Sequence, residues 1–407
     1  MQPARRRLYS SFVLAVAGGV AACGSHPDPE SRATPTTTAI RADSAAFVTR
    51  LGDDTLVVER MARTPTSVVT DVLLRVPTTT RTRWVMELSP TGEMTRLAST
   101  PLDPVTGAPR APGPTQLVTR FGDSLRIETS GEQGTRVTTV AAPAATLPFI
   151  DMVHWPYEVV LMRARAMSVD TVRQPLLTGT RVSTFRIGRV GGDSMTITHP
   201  SRGTMRVRVD DEGRLLGLDA GATTRALVVE RRPWMRVEQL ADRWVDADAA
   251  GRSAGALSGR DTTRAIIDGA SLLVEYGTPA KRGRDIWGAL VRYGQVWRTG
   301  ANMATHFTTS RDLLLGTGAD TLRVPAGSYT LFSIPEADGG VLIVSRQTGQ
   351  TGTAYDPARD LGRVRMQARS LSAPVETFAI GLTADDETGA IRLRWDMQER
   401  VVPFVVR

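Results

Sequence analysis

The chain has 407 residues, 41% hydrophobic and 23% charged, which is enough for about two domains of roughly 100–200 residues with cores of their own. Its formal net charge of +8 is spread without any long basic run, which argues against a nucleic-acid footprint and for an Arg-rich but ordinary surface. Cys23 is the single cysteine, so disulfide staples and thiolate metal clusters are excluded.

The first 23 residues read as a targeting segment. Arg5, Arg6 and Arg7 precede an apolar stretch, Leu8 to Val20, that is too short to span a bilayer as a finished helix. Small residues follow and end in Val20-Ala21-Ala22-Cys23, which resembles a bacterial lipoprotein signal cut before a lipid-modified cysteine. On that reading Cys23 is the lipidation site, and the protein is exported and anchored to a bacterial membrane, facing the periplasm or the cell surface. A plain signal peptide, or a buried cysteine in an N-terminal helix, is the competing reading. Residues 23–40 are rich in Pro, Thr and Ser and read as a flexible tether.

Residues 41–244 form a β-rich first region. Segments such as Thr55–Arg60, Ser67–Val76 and Arg83–Leu88, and later Thr180–Ile187 to Ala226–Val229, alternate β-branched and polar residues between turn signals. Gly191-Gly192-Asp193 and Asp211-Glu212-Gly213 are good hairpin turns. Between the two series, Leu147–Met167 predicts an apolar helix, with a break expected before Pro156. A curved antiparallel sheet around one such helix resembles, in pattern, the half-barrels of envelope lipid carriers. Either the helix plugs the sheet, or a concave apolar face carries lipid or another hydrophobic ligand.

Residues 245–262 are small, polar and Gly-rich and read as an interdomain linker. From 263 to 407, strand after strand at regular spacing predicts an antiparallel β-sandwich or jelly roll, so the fold class is mainly β throughout. The stretch Tyr276–Phe307 concentrates chemistry. It holds Trp287, Trp297, Arg282, Arg284, Arg298 and His306, with the only lysine, Lys281, and the only asparagine, Asn302.

Four blocks carry a family likeness: Tyr276-Gly-Thr-Pro279, Lys281-Arg-Gly-Arg284, Val296-Trp-Arg-Thr-Gly-Ala-Asn302 and Pro325-Ala-Gly-Ser-Tyr-Thr-Leu-Phe332. With Val375–Phe378 and the Ile391–Phe404 strands, they make residues 265–406 resemble the DUF2911 family of bacterial proteins of unknown function. The resemblance implies a domain and no activity. Met303 stands where that family usually has an acid, His306 where a small hydroxyl residue is common, and Gln350-Thr351-Gly352 lacks a tryptophan often found before the glycine.

Six residues are candidates for ligand binding: Lys281, Arg284, Trp297, Arg298, Asn302 and His306. Arg298 and Asn302, four apart around Gly300, would offer a guanidinium and a carboxamide to a carboxylate, phosphate or sugar hydroxyl array. A structural role competes, with Arg298 paired to an acid and Asn302 capping a turn. Lys281 and Arg284 flank Gly283 as a basic loop, and Trp297 would stack on a ring or fill a core. No HExxH, P-loop, Gly-x-Ser-x-Gly or Rossmann fingerprint occurs, so no cofactor and no metal are expected and catalytic residues remain unassigned. The leading expectation is a membrane-anchored envelope binding module for a small polar, anionic or sugar-like ligand or a protein partner. A hydrolase built on Lys281, Arg298, Asn302 and His306 is the alternative.

Overall fold

In the computed structural model, residues 43–407 are described except 111–114, 168, 224 and 386–387. The chain is mainly β, 61% strand and 8% helix, in two large antiparallel sheets with no closed barrel. Cys23 and the tether lie outside the described residues. No helix among the described residues is long and apolar enough to cross a membrane.

The first sheet has fifteen strands and is built from two meanders. One runs from Asp43–Leu51 out to Gly134–Ala141, and the other from Leu147–Phe149 to Val228–Arg232. The last strand returns to the first, pairing Ala46 with Arg232 through Arg50 with Val228. Among the described residues, the single parallel strand pair, Leu147–Phe149 beside Thr171–Thr178, brackets the helix α1, Trp155–Ala166.

α1 is apolar nearly all round, and such a helix must be enclosed. Trp155, Val159, Val160 and Leu161 are at most 1% exposed and share one core with Phe47, Leu56, Met61, Phe185 and Ile197 from both meanders. Leu147–Phe149, read as helical in sequence, is a strand instead. Pro156 does not break the helix but sits in its first turn, where the missing N–H costs nothing.

The N-cap residue His154 makes no side-chain cap. Glu59, a fully buried carboxylate on strand Asp54–Thr64, takes over that role from across the sheet. It accepts from the backbone N–H of His154 at 2.8 Å and of Trp155 at 2.9 Å, while His154 Nδ1 lies 3.2 Å away. Further along α1, Glu158 accepts from Arg231 at 2.6 Å and from Leu215 N at 3.0 Å. Burial pushes its carboxyl above the usual range even against those partners.

A second helix, α2, Glu238–Ala249, covers the opposite face of the first sheet. Ala241 and Trp244, one turn apart, pack on Val58 and Leu73. This explains why Leu56 to Met61 are almost continuously buried: α1 covers one face and α2 the other. Irregular chain between the sheets is confined to 250–257, because 238–249 is helix and Ser258–Ile267 is already a strand.

The second sheet has nine strands in one ladder. Its two long strands, Asp360–Asp385 and Thr388–Val406, bend so that the first lies back over Ser258–Ile267 and Ala270–Pro279. Thr263 Oγ1 donates to Ile380 O at 2.6 Å across that fold-over, and Ala280 bridges Thr377. The two sheets interlock where the first hairpin, Leu51–Asp54, meets the basic loop. Arg282 pairs with Asp54 at 2.9 Å and donates to Ala254 O at 2.5 Å.

Candidate anion cleft

Strand Ala270–Pro279 delivers the chain into the loop Lys281–Arg284, where Arg282 and Gly283 take left-handed backbone angles (φ 49° and 70°). The chain returns through Trp297, whose backbone bridges Ser333 in both directions at 2.7 and 2.9 Å. The turn Thr299–Asn302 is then pinned from several sides. Thr299 Oγ1 donates to Ser333 Oγ at 2.9 Å, and Thr305 Oγ1 donates to Thr299 O at 2.7 Å. Gly277 is where the strand must pass this turn closely: a Cβ there would lie 2.0 Å from Ala301 O.

Behind the turn is an aromatic wall. Trp297 stacks on Trp395 at 6.1 Å and 17°, and meets Phe378 and Trp287 edge-on at 5.1 and 5.9 Å. The Trp287 indole N–H donates to Trp395 O and the Trp395 N–H to Glu376 O, so these rings are oriented as well as packed. Arg400, fully buried, lies 3.6 Å from the Trp287 ring centre.

In front of this wall opens a cleft of about 460 Å³. Trp297, Trp395, Leu290 and Val291 give it an apolar side. Arg284, Arg298 and the backbone of Gly300 and Ala301 give it a polar one, and Leu51 and Arg225 of the first sheet close it. No carboxylate lines it.

The electrostatics follow from that omission. Arg298 Nε donates only to Gly300 O, at 3.3 Å, and desolvation followed by the nearby Arg225 and Arg202 charges lowers its pKa. Arg284 donates to Lys281 O at 2.9 Å and Ala280 O at 2.5 Å. Burial, and then Arg282, pushes it down to about 10, with the charge of Glu376 acting the other way. Neither forms an ion pair with a carboxylate among the described residues. Arg225 does: it shares Asp151 with Arg202, and that carboxyl sits low because the two guanidiniums outweigh its own desolvation.

Of the six residues singled out in the sequence, the structure brings Arg284, Trp297 and Arg298 onto this cleft. Lys281 turns away to Asp396, 2.6 Å from its Nζ, and this contact raises its pKa. Asn302 is exposed and takes a left-handed φ of 63°, and its backbone carbonyl accepts from Gly352 N at 3.0 Å. His306 faces away from the buried Thr305 and Phe307 and sits 3.3 Å from Thr330 Oγ1. Arg225 and Trp395 complete the cleft from positions far away in sequence. No local motif marks Arg225, whereas Trp395 falls inside the terminal strands of the family likeness.

A search of curated proteins finds no match to the chain. Among solved structures, a chain of the S. cerevisiae core factor crystal structure aligns over 89% of this chain at 9% identity and a TM-score of 0.11, a level that carries no argument. This chain spans 57% of that one. Residues 258–404 match the family described as protein of unknown function DUF2911, and the C-terminal domain of this chain belongs to it.

Proposed function

We propose that this chain is an exported, lipid-anchored envelope protein whose cleft binds a small organic anion with a ring or apolar body. The observation that carries the binding reading is the pair Arg284 and Arg298, desolvated and without a carboxylate partner, in front of the Trp297–Trp395 wall. Both guanidiniums are half-buried, and a partly desolvated charge with no ion-pair partner favours an anion arriving from outside. Arg presents a planar fork suited to a carboxylate or phosphate, and the indoles suit the face of a ring. The volume of about 460 Å³ lies within the ordinary range for small-molecule sites.

A hydrolase built on Lys281, Arg298, Asn302 and His306 has less support, because only Arg298 of that set lines the cleft. For lipid carriage, the side chains of α1 occupy the concave face that a lipid would need. Export and anchoring rest on the sequence alone: the Arg5–Arg7 start, the Leu8–Val20 apolar stretch and Cys23 after two alanines.

The experiment is a thermal-unfolding titration of the purified chain with phosphate, citrate and glucuronate. A ligand at about 100 times its Kd stabilises by ~2.7 kcal/mol. At least one of these anions is expected to raise the unfolding temperature of the wild type. Arg298→Ala should abolish the rise, and Arg323→Ala, which removes an exposed pair with Asp312, should leave it intact. An equal rise in Arg298→Ala, or none in the wild type, removes the proposed site.

A further inference from the structure

We propose that the end of the first sheet farthest from the cleft rests on the headgroup layer of a zwitterionic lipid bilayer, holding the cleft away from the membrane. The proposal takes up the anchoring reading above and adds an orientation to it. Strand directions define the two ends. Leu51 and Asp54 close the first hairpin at the cleft end, so Asp43, opposite Arg63, starts the first strand at the other end. α1 runs the same way, from Trp155 near the cleft end to Ala166 at the far end. There Arg163 bonds Gly92 O and Arg165 donates to Gly192 O at 2.9 Å.

The far end carries apolar side chains in three separate loops. Phe121 is 80% exposed at the tip of the hairpin Gln116–Phe121 to Ser124–Gly131, and Val190 is 68% exposed beside the turn at Gly191. Met167 and Val169, just past α1, are 48% and 49% exposed. Scattered exposed apolar residues need no explanation, but four on three loops at the same end of one sheet are a candidate contact surface.

The chain itself selects the occupant. Nineteen residues separate Cys23 from Asp43, and Asp43 sits at this end. On the tether reading of the sequence these residues reach about 25 Å, so a lipid on Cys23 would keep the bilayer at high effective concentration near these loops. The exposed acids Asp123, Asp170 and Asp193 flank the same tips. Arg165 and Arg189 stand beside Asp170 and Val190, so the two signs offset, and charge on both sides opposes deep insertion, which leaves shallow contact with zwitterionic headgroups. At about 3.4 Å per residue, a nine-residue strand such as Asp43–Leu51 places the cleft roughly 30 Å above that surface.

The test is made independent of whether the cell lipidates Cys23. The chain from Cys23 onward is coupled through its sole thiol to maleimide-headgroup lipid in phosphatidylcholine vesicles, and in parallel to soluble maleimide polyethylene glycol. Amide hydrogen exchange is compared between the two. Severalfold slower exchange on vesicles is expected in the segments containing Phe121, Met167 with Val169, and Val190, with none in 297–303. The protection should disappear in the double variant Phe121→Asp, Val190→Asp. Exchange unchanged at those loops, or slowed equally around the cleft, overturns the proposal. Anchoring in cells is read separately, from fatty-acid incorporation lost in Cys23→Ser, so the two ideas fail independently.

Discussion

Replacing Glu59 by alanine is expected to destabilise the chain by about 3–5 kcal/mol, because two buried backbone donors are left without an acceptor at roughly 1–3 kcal/mol each. The carboxylate is fully buried and satisfies two backbone N–H groups at the start of α1, where the helix dipole also favours negative charge. With alanine there, the two backbone donors lose their acceptor, and His154 Nδ1 keeps only Thr49 Oγ1, 3.1 Å away. Glu59→Gln keeps an acceptor oxygen and should lose roughly half as much or less. Denaturant midpoints of the two variants check this. Equal midpoints for Glu59→Ala and wild type would mean that α1 does not depend on this cap.

The second large effect belongs to Trp395. It is 1% exposed, stacks on Trp297, meets Phe378 and accepts the Trp287 indole N–H through its carbonyl. Trp395→Ala should cost about 3–5 kcal/mol through lost burial and the cavity left behind. It should also cost anion binding, because Trp297 loses the ring that holds it upright in the cleft wall. Trp395→Phe keeps an apolar ring and should recover part of both. Measured together, stability and binding separate a cleft wall from a mere core residue: a variant that unfolds earlier yet binds with unchanged affinity would leave Trp395 with packing alone.

Much of the fold was legible because its signals are local. Period-two alternation, as in Gly203–Val209, and turn residues such as Gly191-Gly192-Asp193 mark antiparallel strands wherever one face is buried. The apolar run through Trp155–Ala166 marked the buried helix. α2 was hidden, because its packing face amounts to little more than Ala241 and Trp244 in an otherwise charged segment whose last residues, 245–249, read as linker. The covering of both faces of Asp54–Thr64 could not be read either, since it depends on two helices distant in sequence.

The site was legible in part for the same reason. Arg284, Trp297 and Arg298 sit in one continuous stretch, so their clustering shows in the sequence. Their freedom from carboxylates does not. Lys281, of the same charge and three residues from Arg284, is taken up by Asp396 from the far strand, and Arg225 reaches the cleft from the first sheet. Which cation is neutralised and which is left for a ligand is decided by pairings more than 100 residues apart, as for Lys281 and Asp396.

An anion seated between Arg284, Arg298 and the indole wall should be visible in a crystal of the chain soaked in selenate. An anomalous peak is expected in the cleft within hydrogen-bond reach of both Arg284 and Arg298, absent in Arg298→Ala. An empty cleft, with Arg298 closed onto a protein carboxylate, would contradict it.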